Sequence, residues 1–136
     1  MSDRRRDWQE IGDRVYRMRY RSLDLNVGVV VGDDEVLVID TRSFAAEAAE
    51  LLADLRRLTR LPCRKMVNTH WHFDHCYGNA TLRPAAIWGH QRCAAQLRGQ
   101  GEVDFPPGGG HRGYAAMVDG SGLMAACCCS HSIGGR

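Results

Sequence analysis

The chain has 136 residues, enough for one domain of ordinary size, and a 44% hydrophobic content that can fill a core. A formal net charge of +2, with Lys65 the single lysine, argues against a nucleic-acid partner. No run approaches the ~18 apolar residues of a membrane span, and no apolar stretch follows the basic N-terminus as a secretory signal would require.

The run Arg4-Arg5-Arg6 reads as a solvated tail. Residues 1–10 read as a polar lead-in with one anchor, Trp8. Val15–Tyr20 alternates weakly and suits a strand, and Leu25–Val31 is a denser, valine-rich run that suits a buried one. Gly32-Asp33-Asp34 is a turn signal, and Val36–Ile39 is the next apolar run. The two runs and their short connection predict a β-hairpin over 25–40.

Ser43 is placed to cap a helix. Phe44, Ala48, Leu51, Leu52, Leu55 and Leu58 then recur at three- and four-residue spacing, predicting a helix over 44–60. Glu47, Glu50, Asp54, Arg56 and Arg57 fall on its remaining face. Leu61-Pro62 stops it, and Cys63–Asn68 reads as a strand. Strand, helix and second strand in this order predict a crossover unit, whose carboxyl end is where α/β proteins place their sites. Gly78 and Asn79 mark a turn, 85–88 a short strand, and 91–98 a short helix opened by His90. Cys76 and Cys93 suit small core positions.

The stretch Asn68-Thr69-His70-Trp71-His72-Phe73-Asp74-His75 sits at that carboxyl end. Three imidazoles and a carboxylate within six residues form a donor set suited to zinc and its first-row neighbours. In extended backbone His70, His72 and Asp74 lean to one side, and His75 joins them if the chain turns. Four donors exceed what one metal takes from one loop. Two ions side by side fit better, with His70 and His72 on one and Asp74 and His75 on the other. An isolated histidine such as His90 reads as structural.

His-x-His-x-Asp-His after a short strand resembles the metal-binding motif of the metallo-β-lactamase-fold hydrolases. The resemblance extends over about residues 8–99. It implies an α/β layered architecture, one N-terminal half of an αββα sandwich. It also implies zinc, one or two ions, held by His70, His72, Asp74 and His75, with Asp74 doubling as the catalytic residue that holds the attacking water and relays its proton. The implied activity is hydrolysis of a small-molecule ester, thioester, lactone or lactam. Asp40 in Asp40-Thr41 would buttress the metal loop without binding metal. The family usually has glycine next; here Arg42 takes that place.

From residue 101 the text changes: nine of the 15 glycines lie in 101–136, with Pro106-Pro107 and Cys127-Cys128-Cys129. This composition predicts a low-complexity, disordered tail, so the expected division is 1–100 and 101–136. The later ligands of the resembled family find no match in His111, Asp119 or His131. The expectation is therefore a truncated hydrolase, its tail unrelated or frame-shifted, with weak, incomplete zinc binding and low or no activity. The alternatives are a non-catalytic fragment and, last, a thiol module using Cys127 to Cys129. Half a sandwich leaves an apolar sheet face open, so self-association is also expected. Six cysteines with three adjacent make a poor disulfide framework, which points to reduced thiols and a cytoplasmic compartment.

Overall fold

The computed structural model describes residues 7–99. Six strands form one sheet in the order of the chain: β1 Gln9–Gly12, β2 Val15–Tyr20, β3 Leu25–Val31, β4 Val36–Ile39, β5 Cys63–Asn68 and β6 Ala86–Gly89. The first four are antiparallel neighbours, so the 25–40 hairpin is present; β4, β5 and β6 run parallel. The helix α1, Ala45–Leu58, makes the crossover from β4 to β5, as its period predicts. A one-turn helix α2, Phe73–Cys76, follows β5, and α3, Gln91–Gly99, follows β6. This is a mixed α/β layer of the expected class. Residues 101–136, for which a disordered tail is expected, lie outside the described residues.

Pairing register explains the core. Val29 faces Val38, Val38 faces Met66 and Met66 faces Ile87, so one row of buried side chains crosses four strands. Ala48, Leu51 and Leu55 of α1 close over that face together with Met18, Tyr20 and Val27. The neighbouring register row, Ile39, Val67 and Trp88, points to the opposite face and is only half-buried. Among the described residues no helix is long and apolar enough to cross a membrane.

Three local expectations change. The lead-in contains strand β1, which no alternation announces because all four of its residues are exposed. Trp8 is the anchor expected, its Nε1 donating to the Asp54 carbonyl at 2.9 Å. The N-cap of α1 is Phe44, which is 49% exposed and not part of the core, and no side chain caps the helix. Ser43 is buried, and its N–H donates to the Glu47 carboxylate at 3.2 Å, so the acid of the first turn fastens the approach to the helix and caps none of its amides. Asp54, placed by periodicity on the solvent face, is buried. The Tyr20 hydroxyl donates to it at 2.8 Å and Arg57 pairs with it at 2.7 Å, which offsets its desolvation.

Leu51, fully buried at the centre of α1, tests this packing. Leu51→Ala should lower the unfolding free energy by about 2–5 kcal/mol, read from the urea midpoint at unchanged slope.

Candidate metal centre

The four predicted donors meet at the carboxyl end of β5. The His70 and His75 ring centroids are 3.9 Å apart, and those of His70 and His72 are 4.7 Å apart. His75 Nε2 lies 3.4 Å from Asp74 Oδ2. The loop is not extended throughout, as alternation alone would have it. His72 is the N-cap of α2, and Asp74 and His75 sit on its single turn. That turn is what brings His75 back beside His70.

Asp40 organises the cluster. It ends β4 with φ of 67°, a left-handed conformation that aspartate tolerates better than most residues, and it is buried. One carboxylate oxygen accepts the Thr69 N–H at 2.8 Å; the other accepts the Thr69 hydroxyl at 2.8 Å and lies 2.8 Å from His75 Nδ1. Toward an ionised Asp40, His75 Nδ1 would act as the donor of this contact. The Thr69 hydroxyl spends its one proton on Asp40. It therefore accepts from His70 Nδ1, 3.0 Å away, which leaves His70 Nε2 clear of this network. A single buried acid thus orients two imidazoles, one directly and one through Thr69. This is the outer-shell role for which metal sites use carboxylates.

The loop backbone is fastened separately. The His75 carbonyl accepts the Thr41 N–H at 2.9 Å and the Asn68 amide at 3.0 Å. Asn68 and Asn79 exchange amide hydrogen bonds of 3.0 and 2.6 Å, and the Thr41 hydroxyl donates to Asn79 Oδ1 at 2.7 Å. The turn expected at Gly78-Asn79 is a 3-10 turn, Asn79–Leu82, whose first residue is fully buried in this network. Gly78 has ordinary helical dihedrals, so freedom is not why glycine stands there. A Cβ at this position would overlap the Thr41 carbonyl oxygen and crowd the Ala48 Cβ.

Arg42, at the position where glycine was expected, adopts φ of 71°. Its side chain is 3% exposed and pairs with Glu50 at 2.9 Å and Glu47 at 3.2 Å, with its guanidinium carbon 3.8 Å from the Tyr20 ring centroid. Its carbonyl accepts the Gly78 N–H at 3.0 Å. Left-handed arginine is strained by ~1–2 kcal/mol, which two acids and an aromatic face offset.

The other candidates stay apart. His90 precedes α3, and its Nδ1 accepts the Arg92 N–H at 3.1 Å, a structural role as expected. Cys76 is buried with Cys93 and Leu97, its thiol bonded to the His72 carbonyl at 3.0 Å. Burial raises that thiol well above its ordinary pKa, which suits a core residue and not a metal contact. His111, Asp119, His131 and Cys127 to Cys129 lie outside the described residues. In kind, the nitrogen and oxygen donors present suit zinc. Among the described residues no three of His, Cys, Asp and Glu are arranged to hold one ion.

A family model described as the metallo-β-lactamase superfamily matches residues 23–99, more than half of the chain. The chain belongs to the metallo-β-lactamase superfamily. Solved metallo-β-lactamases share the fold. One from Hirschia baltica is 18% identical, with a TM-score of 0.56 over 66% of this chain and 45% of that one. One from Pseudomonas aeruginosa, crystallised in a mono-zinc form, is 18% identical, with a TM-score of 0.58 over 76% and 54%. A subclass B3 enzyme isolated from a soil metagenome library is 21% identical, with a TM-score of 0.55 over 68% and 36%. The chain thus spans between about a third and a half of the length of these metallo-β-lactamases. The family match covers β3 to β6, α1 and the donor loop.

Two outcomes follow from the loop's wiring. Thr69→Val should release the His70 tautomer while leaving that of His75 fixed, read from imidazole nitrogen shifts of the metal-free chain. Desolvation, then His75 and His72, lower the His70 pKa, against Asp40 and Asp74, which raise it. The unfolded chain therefore takes up a proton that folded His70 refuses, over the range from the ordinary imidazole value of about 6.5 downward. Stability should fall as pH drops through that range, and His70→Gln should flatten the slope between pH 7.5 and 5.5.

Proposed function

We propose that His70, His72, Asp74 and His75 form the donor loop of a zinc-dependent hydrolase acting on an ester, thioester, lactone or lactam. The observation that carries this reading is the convergence of three imidazoles and a carboxylate, two of the imidazoles held by hydrogen bonds that lead to Asp40. His70 and His72 would hold one ion, Asp74 and His75 a second. Bound zinc would supply Lewis acidity and lower the pKa of a water toward ~7. Asp74, half-buried beside His75 Nε2, would orient a water and accept its proton. Asp40 and Thr69 would keep the ring nitrogens aimed and unprotonated, which prevents the donors from reorganising as charge develops.

Two donors per ion favour a second reading in the same chain: weak, incomplete zinc binding with little or no turnover, as in a truncated, non-catalytic product. Metal affinity follows ligand number, and a poorly supported ion positions its water poorly.

Metal analysis and turnover of a thioester, a lactone and a cephalosporin separate the two. The expected outcome is zinc uptake only in excess metal, with turnover at or near background. Two tightly held zincs, with turnover abolished by Asp74→Ala, would instead establish a complete enzyme. No zinc retained at any excess would remove the zinc-dependent hydrolase and leave a non-catalytic product whose motif is a relic.

A further inference from the structure

A second concavity lies at the other end of β5. Cys63 opens that strand and Asn68 closes it, so the donor loop is about 16 Å away at ~3.3 Å per residue. The cleft has a volume of about 530 Å³, within the range of small-ligand sites, and is formed by the last turns of α1, the segment 59–63 and the end of the 3-10 turn at 81–83. Its lining joins two chemistries. Leu52, Leu55, Leu61 and Leu82 supply an aliphatic wall. Arg56, Arg60 and Arg83 supply three guanidiniums, each on an exposed residue, and the lining contains no carboxylate.

We propose that this cleft binds a free anionic amphiphile, a carboxylate or phosphate head on a short aliphatic tail. Guanidinium groups match such heads in geometry and charge. Two threonines add neutral polar groups to the lining. The Thr59 hydroxyl already accepts the Leu61 N–H at 3.2 Å, so its own proton is left to donate. The negative end of the α1 dipole opposes an anion here, but it amounts to only about half an elementary charge. The full positive charges of Arg56 and Arg60 outweigh it, and the Thr59 N–H, bonded to the Leu55 carbonyl at 2.9 Å, masks part of that end. Leucines beneath charged rims distinguish the cleft from a simple phosphate site, because half of its wall has nothing to offer an inorganic ion. Cys63 lies in the lining with its thiol raised to about 11 by burial, so it remains a neutral thiol and does not repel the head group.

The test titrates the full chain, without zinc, with octanoate and with octyl phosphate below their micelle concentrations, followed by amide shifts. Saturable binding is expected, with shifts centred on Thr59, Leu61, Cys63 and Thr81 and with octanol at least about tenfold weaker. Arg56→Gln with Arg60→Gln should weaken octanoate about tenfold or more at an unchanged melting temperature, and added salt should weaken octanoate but not octanol. Equal binding of octanol and octanoate would reduce the cleft to an apolar patch and overturn the proposal. So would shifts centred elsewhere, no saturable binding, or octanoate affinity unchanged in the double variant. Binding to anionic vesicles without binding of free octanoate would reassign the arginines to a membrane surface, which also overturns it. Because no metal is present, these outcomes leave the reading of the donor loop untouched.

Discussion

The buried carboxylate of Asp40 is the constraint on which the donor loop depends. It takes two bonds from Thr69 and one from His75, and so joins the end of β4 to both ends of the motif. A buried charge needs such partners to be tolerated at all. The same partners define the loop, so the cost of burying the acid and the positioning of the imidazoles are one phenomenon. Its left-handed backbone turns the side chain from the strand toward the loop, and the parallel pairing of β4 with β5 puts Thr69 within reach.

A second junction ties the loop to α1. Gly78 touches the Thr41 carbonyl and approaches Ala48, while Arg42 spans from the Gly78 amide to the acids of the first helical turns. Strand end, helix start and loop exit therefore meet in one small volume. Such close packing leaves few alternative positions for the loop backbone, because polar groups there are already mutually satisfied. Arg42 holds its left-handed turn with a buried side chain fixed by charge.

Much of this was legible in the residues, for identifiable reasons. The spacing of Ala48, Leu51 and Leu55 marked α1, and the apolar runs at 25–31, 36–39 and 63–68 marked the strands, because burial on one face leaves a period. The four donors stood out because histidine and aspartate at that density have few other uses. Strand β1 was invisible because its side chains are all exposed. Asp54 looked like a solvent residue because its partners, Tyr20 and Arg57, are set by tertiary packing. Thr69 and Asn79 were missed as supporting residues for the same reason. Apart from the contact of Thr69 with the adjacent His70, their roles come from neighbours 11 to 38 positions away.

The strand order has a kinetic consequence. Because the six strands lie side by side in the order in which they are synthesised, each new strand emerges next to an edge that already exists. Two parallel connections interrupt this run of local pairings, the α1 crossover and the segment from the donor loop to β6. Proteins built from near neighbours close short loops first and lose less entropy before contacts reward them. On the ribosome, Asp40 is therefore in place on β4 before Thr69 and His75 leave the exit tunnel. The loop is received by a finished anchor rather than having to find one.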